Sequence, residues 1–231
     1  MTPTRTPSLS IIIPVGPGEE SWQTLLSRLK ARGRESVEIV VVCADAEGAS
    51  RVRARFGELV RVVASSPGRA RQLNAGARIA SGDFLWFVHA DSEMTERVLT
   101  SMTAFTRTSP DALGYCNLYF DGPRRMLLNA VGVWLRSHLL GIPFGDQGLL
   151  MSREIFERLG GYPEEVAFGE DHLLVWRAHQ AGVPVRCTGA WLGTSARKYV
   201  ENGWASTTLR TLWLTAKQAL PEVRQRYRGP S

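Results

Sequence analysis

Lysine is almost missing from this chain of 231 residues: Lys30, Lys198 and Lys217 stand against 25 arginines, and the formal net charge is +6. Arginine presents a planar fork of donors matched to phosphate and carboxylate, whereas lysine is a compact point charge. A compositional bias toward arginine produces the same excess, so the count alone assigns no partner. The arginines are scattered among helical segments and no RNA- or DNA-binding motif accompanies them, which argues against a nucleic-acid partner. Cysteine is scarce as well. Cys43, Cys116 and Cys187 are odd in number and lack a C-x-x-C spacing, which argues against a disulfide framework or zinc ribbon. They read as small buried hydrophobes in a reducing, cytoplasmic compartment.

Long apolar runs are also lacking. The run Ile11 to Val15 is too short for a signal-peptide core and contains Pro14. The stretch Met126 to Phe144 is broken by Asn129, Arg136 and His138, so it does not read as a membrane span. Any membrane contact is expected to be peripheral, at the inner face of the cell membrane. Neither a Walker A pattern nor a G-x-G-x-x-G loop is present, which argues against an ATPase or a nicotinamide enzyme.

What is there is a globular composition, 44% hydrophobic and 22% charged. Short β-branched runs alternate with helical patterns. Strands are expected at Leu9–Pro14, Val37–Cys43, Leu59–Ala64 and Phe84–His89, and helices at Ser21–Arg32, Ala49–Phe56 and Gly68–Ala80. This order predicts a Rossmann-like, mostly parallel α/β sheet flanked by helices. In the second half, strands are expected at Leu113–Phe120, Leu149–Ser152 and Val183–Thr188. Helices are expected after the turn Asp121-Gly122-Pro123 to about Leu140, from Arg153, and over about Gly169–Ala181. A last helix, Trp204–Leu220, lies in a C-terminal extension of about 203–231. No linker divides the chain, so residues 1–231 are expected to form a single domain.

Ligands of such sheets bind beyond the carboxyl ends of the strands. The residues there are Gly16 to Glu20, Asp45, and His89-Ala90-Asp91. The string Pro67-Gly-Arg-Ala-Arg-Gln-Leu-Asn-Ala-Gly-Ala places Arg69 and Arg71 at the positive end of a helix dipole, which suits an anionic group such as phosphate. The imidazole of His89 and the carboxylate of Asp91, two residues apart at a strand exit, could ligate a divalent cation.

The order of Asp45, G-R-A-R-Q-L-N-A-G, Ser81-Gly82-Asp83, H-A-D, F-G-D-Q-G and Gly169-Glu170-Asp171 resembles a family 2 glycosyltransferase with a GT-A fold, over roughly Ser8 to Gly182. The resemblance implies an enzyme that moves a sugar from a nucleotide-diphosphate sugar, a UDP-sugar first, to an acceptor hydroxyl with inversion. It implies that Pro14 and Asp45 meet the base, and that Arg69, Arg71 and Ala90 lie along the donor. Asp91, with His89, would hold Mn2+ or Mg2+, and Asp171 would be the general base. Arg197, followed by Lys198 and Tyr199, could close over the diphosphate. Asp146, Gln147 and Glu170 are expected on the acceptor side, and a lipid-linked acceptor would fit a peripheral membrane site.

Two departures from the family pattern stand out. His89 replaces the first carboxylate of D-x-D, leaving that site one negative charge poorer. The segment after the first strand is Val-Gly-Pro-Gly-Glu, where relatives usually carry Asn or Tyr before the Glu. Two other readings remain open: a nucleotidyltransferase acting on a sugar phosphate, which usually needs a Gly-rich phosphate loop with Lys, and a basic nucleic-acid-binding domain. The final helix carries Trp204, Leu209, Leu212, Trp213, Ala216 and Leu220 on one side, which suits either docking on the core or a membrane surface.

Overall fold

The computed structural model describes residues 8–31, 37–95, 97–124, 126–166 and 168–195. The expected helix Trp204–Leu220 and Arg197 lie outside them.

The first strand, β1 (Leu9–Val15), is buried along its whole length. Its side chains serve two cores by simple alternation. Ile11, Ile13 and Val15 face a cluster that includes Trp22, Leu25 and Leu26 of α1 (Trp22–Ala31). Val52 and Phe56 of α2 (Ala46–Phe56) and Met102 and Phe105 of α4 (Val98–Thr108) belong to that cluster too. Ile12 faces the opposite cluster, with Leu73 of α3 (Arg69–Ile79), Phe156 of α6 (Arg153–Arg158) and Leu174 of α7 (Glu170–Gln180). Each buried Ile or Val contributes about 1.5–3 kcal/mol relative to an exposed one. That is why the near-continuous apolar runs form the centre of the sheet.

The other strands are β2 (Val37–Cys43), β3 (Arg61–Ala64), β4 (Phe84–Phe87), β5 (Glu93–Met94), β6 (Leu113–Asp121), β7 (Leu149–Ser152) and β8 (Val185–Ser195). They form one sheet in the order β3-β2-β1-β4-β7-β6-β8-β5. The pairs β1–β2, β1–β4, β2–β3 and β6–β8 are parallel, and β4–β7, β6–β7 and β5–β8 are antiparallel. The chain steps from β1 outward to β2 and β3, then returns to lay β4 on β1's other side. The reversal leaves a crevice at the carboxyl ends of β1 and β4.

Several boundaries moved for local reasons. Helix α2 starts three residues earlier than the apolar pattern suggested because the Asp45 carboxylate caps it, accepting from Gly48 N at 2.6 Å. Strand β3 loses Leu59, whose N–H is held by Phe56 O at 2.7 Å. Strand β8 runs on to Ser195, past Gly189 and Gly193, which hid its continuation; a Cβ on Gly193 would stand 2.5 Å from Tyr119 Cζ. Helix α4 and the two-residue β5 were not anticipated.

The Ser81-Gly82-Asp83 string is a staple at the far end of the strands, away from the crevice. Gly82 N donates to Ser10 Oγ at 2.9 Å, and a Cβ there would meet Ser10 Oγ at 2.5 Å. Asp83 Oδ2 accepts from Ser8 N and Oγ at 2.9 and 2.8 Å. Arg153 covers the last carbonyls of α3, donating to Ala77 O at 2.9 Å and Ala80 O at 2.7 Å. Arg53 and Arg61 likewise donate to Val62 O and Ile79 O. Part of the arginine excess therefore serves backbone carbonyls through its forked donors.

Candidate active site

Pro14 is where the crevice opens. The β1–β4 ladder ends at Ile12–Phe87, with Val88 N donating to Ile12 O at 3.0 Å. Pro14 has no N–H with which to continue it, so β1 and β4 part company there. Just beyond, the Gln72 side chain, 4% exposed, donates from Nε2 to Val15 O and Val42 O, both at 2.8 Å. One buried amide thereby satisfies the final carbonyl of β1 and the penultimate carbonyl of β2.

The G-R-A-R-Q-L-N-A-G string is thus mostly a positioning device. Gly68, at φ +130°, precedes α3 in a backbone conformation that suits glycine. A Cβ on Gly76 would stand 2.4 Å from Ile12 Cγ2, so α3 lies against the sheet as only glycine permits. Asn74 reaches across to the loop before α7: Oδ1 accepts Tyr162 N at 2.9 Å, while Nδ2 donates to Tyr162 O at 2.9 Å and Glu164 Oε1 at 2.8 Å. That loop delivers Glu170 and Asp171. Gln72 and Asn74 stood in the motif string, but their roles depend on strand ends and a loop that only the fold brings together.

Asp171 lies in the first turn of α7, just after Glu170, and meets the loop before β7. Its Oδ2 accepts the Gly145 N–H and its Oδ1 the His172 N–H, the latter at 2.8 Å. A Cβ on Gly145 would stand 2.8 Å from Asp171 Oδ2 and 3.1 Å from His89 Nε2. The absence of a side chain at Gly145 is what lets the imidazole and the carboxylate converge.

Charge is concentrated around this point. Burial and the Arg69 guanidinium push the His89 pKa down to about 3, against the pull of Asp171. The imidazole is therefore neutral at physiological pH, with a lone pair available. Burial drives the Asp146 carboxyl up to about 6; Arg136 and Arg69 oppose this, and Asp171 and Asp91 reinforce it. Burial, then Asp171, raises Glu170, whose Oε1 lies 3.7 Å from Arg69 Nε. Burial also raises the Tyr162 hydroxyl, with Asp171 and Glu170 adding to it. The crevice floor is thus acidic, with Arg69 as a nearby cation.

The candidate residues divide into two groups. His89, Asp91, Asp146, Glu170, Asp171 and Arg69 lie within electrostatic reach of one another. Ala90 is buried in the turn closed by Ser92 N and His89 O at 3.1 Å. Pro14 is the penultimate residue of β1, and Asp45 caps α2 two residues after β2 ends. Arg71 turns toward Glu164 Oε2, 3.9 Å away, and to Pro67 O.

Gln147, 1% exposed, is a brace. Its oxygen accepts from Ser137 Oγ, Arg136 Nη2 and Phe144 N, and its nitrogen donates to Cys116 O at 3.0 Å. Its neighbour Asp146 differs, since Oδ1 is buried with no hydrogen-bond partner among the described residues. Burial pushes Cys43 and Cys116 up to about 11 and about 12, so neither is a thiolate nucleophile at neutral pH.

Among the described residues no group of three or more His, Cys, Asp and Glu could hold a metal ion. A neutral imidazole and a carboxylate at the β4 exit offer two ligands of the kind a divalent cation takes, and the buried Asp146 Oδ1 nearby has no hydrogen-bond partner among the described residues. Such a cation would complete its shell with phosphate oxygens, as magnesium commonly does.

The description "Glycosyl transferase family 2" matches residues 10–140. Among curated proteins, none matches the sequence with significance. Solved structures share the fold. The mannosyltransferase PcManGT from Pyrobaculum calidifontis, in complex with GDP-Man and Mn2+, is 20% identical with a TM-score of 0.69, over 95% of this chain and 66% of that one. S. aureus TarS 1-349 is 18% identical with a TM-score of 0.61, over 83% of this chain and 61% of that one. Its complex with UDP-GlcNAc is 18% identical with a TM-score of 0.60, over 81% and 58%. This chain therefore spans between 58% and 66% of the length of these three structures.

Proposed function

Because the chain belongs to glycosyl transferase family 2, we propose that it transfers a sugar from a nucleotide-diphosphate sugar, a UDP-sugar first, to an acceptor hydroxyl with inversion. The observation that carries this reading is the convergence of Asp171, Gly145 and His89 at the carboxyl end of β4. In it, the acceptor oxygen forms the new bond to the anomeric carbon while the bond to the diphosphate breaks. The acceptor proton passes to Asp171, and the bonding pair leaves with the nucleoside diphosphate. Two backbone N–H groups hold the Asp171 carboxylate in one orientation, the kind of positioning that general-base catalysis requires.

Asp45 and Pro14 supply the base end of the donor site, and Arg69 and the amino end of α3 face the phosphates. Arg71 contributes charge at longer range, since its fork is turned toward Glu164. Glu170 and Asp146 border the acceptor side. Asp91, with His89, would hold Mn2+ or Mg2+, which when bound supplies charge neutralisation at the leaving diphosphate. The GDP-Man and Mn2+ of the Pyrobaculum structure and the UDP-GlcNAc of the TarS structure support a nucleotide-sugar donor and a divalent ion.

The test is a thermal-shift panel of UDP-, GDP- and dTDP-sugars with Mn2+ or Mg2+. One donor should raise the Tm in a metal-dependent way, and Asp91→Asn should remove the metal dependence. No shift with any donor, or a shift identical in Asp91→Asn, contradicts the proposal.

A further inference from the structure

Phe144 stands one residue before Gly145, and its ring meets a side chain from each of two helices. Arg136 of α5 (Met126–Leu139) lays its guanidinium over the ring, with Cζ 3.4 Å from the centroid. The His172 imidazole of α7 meets the same ring at 5.4 Å between centroids and an interplanar angle of 61°. Arg136 also grips the loop through its donors: Nε reaches Ile142 O at 2.9 Å, and Nη2 reaches Gln147 Oε1 at 3.1 Å. One planar group thus holds residues on both sides of Phe144 while stacking on Phe144 itself, which a lysine ammonium cannot do.

Helix α7 holds the loop from its own side. The Trp176 indole N–H donates to His172 Nε2 at 2.8 Å and fixes the buried imidazole beside Phe144. Three residues beyond Trp176, His179 Nε2 donates to Gly141 O at 2.7 Å, since a carbonyl only accepts. Together these contacts close a ring around one carboxylate. His172 N donates to Asp171 Oδ1, the His172 imidazole lies against Phe144, and the next residue, Gly145, donates its N–H to Asp171 Oδ2.

We propose that Arg136 is a positioning residue for the Asp171 carboxylate, acting through Phe144 and Gln147 on the Gly145 N–H. The role rests on the reading of Asp171 as the general base. Arg136 works on the direction of the N–H that orients the carboxylate, and misdirection of a reacting group is costly in catalysis. Its positive charge also reaches Asp146. Geometry and charge are therefore separated by Arg136→Lys, which keeps the charge and loses the fork.

Arg136→Met, Arg136→Lys and Phe144→Leu in the full chain test the proposal. Amide exchange followed by NMR should accelerate at Gly145 at least tenfold in all three, while β1 keeps its protection. In sugar transfer, kcat should fall at least tenfold with the donor KM within about twofold of wild type. Gly145 exchange at the wild-type rate in Arg136→Met overturns the proposal. Wild-type exchange and kcat in Arg136→Lys overturn it in favour of charge alone, and a raised KM with kcat intact overturns it in favour of donor binding. Phe144→Leu leaves every charge in place and decides the matter if the arginine variants also lose protection in β1. Wild-type transfer by Asp171→Asn would sink the general-base reading, whereas Gly145 exchange reports on Arg136 whatever the reaction.

Discussion

The side-chain amide of Asn74 pairs with the backbone of Tyr162 in both directions, at 2.9 Å each way. It holds α3, which borders the donor side of the crevice, to the loop that leads into Asp171. Asn74→Ala leaves a backbone donor and acceptor of Tyr162 without partners, which costs about 2–4 kcal/mol. Chemical denaturation should show the lower midpoint. Steady-state kinetics should show kcat falling more than donor affinity, because the disturbed loop carries the base.

Gln72→Leu keeps the volume and deletes the amide that serves Val15 O and Val42 O. Both carbonyls then lose a buried donor, Val15 O keeping only the bond from Ala44 N, at a cost of about 1–3 kcal/mol. Gln72→Glu should fare no better, since a carboxylate accepts where a donor is needed. A denaturant midpoint at wild-type level in either variant would show that water satisfies these carbonyls.

Gly145→Ala probes the convergence directly. The added methyl would meet Asp171 Oδ2 at 2.8 Å and His89 Nε2 at 3.1 Å, so one of them must move. We expect kcat to fall at least tenfold with the Tm lowered by only a few degrees, as misplacement by an ångström is costly in catalysis. Turnover at wild-type rate would place the reacting atoms elsewhere.

Glu38 gives a pH-dependent signature remote from the crevice. Burial alone would raise its pKa, but hydrogen bonds from Ser10 Oγ, Ser81 N and Arg61 together lower it. A carboxyl held below its unfolded value contributes stability that is present above that value, 4.5, and is lost as pH falls through the folded value. Glu38→Gln should therefore lose stability at pH 7 and show a shallower decline below pH 4.5 in urea titrations. Parallel acid limbs for the two proteins would contradict the assignment.

How much of this was legible beforehand follows from which forces act locally. The runs Ile11–Ile13 and Val40–Val42 announce buried parallel strands on their own, and the order of motifs resembles the family to which the chain belongs. Strand β5 does not announce itself, because two residues carry no periodicity, and β8 was cut short by Gly189 and Gly193. Asp146 and Gln147 are adjacent and read alike, yet the fold ties Gln147 inward to Cys116 and Ser137 and leaves an oxygen of Asp146 unpartnered. Asp83, read as part of a functional string, ties down Ser8 at the opposite end of the sheet. Adjacency in sequence fixes neither direction nor partner when the partners come from another part of the chain.

The central claim is that Asp171 takes the acceptor proton. Asp171→Asn keeps an oxygen for the Gly145 N–H and removes the base. The decisive measurement pairs single-turnover sugar transfer with the donor-induced Tm shift in wild type and Asp171→Asn. The account predicts a loss of at least 10³-fold in the transfer rate with the donor shift intact. Transfer within a few-fold of wild type, with the donor still bound, would contradict it.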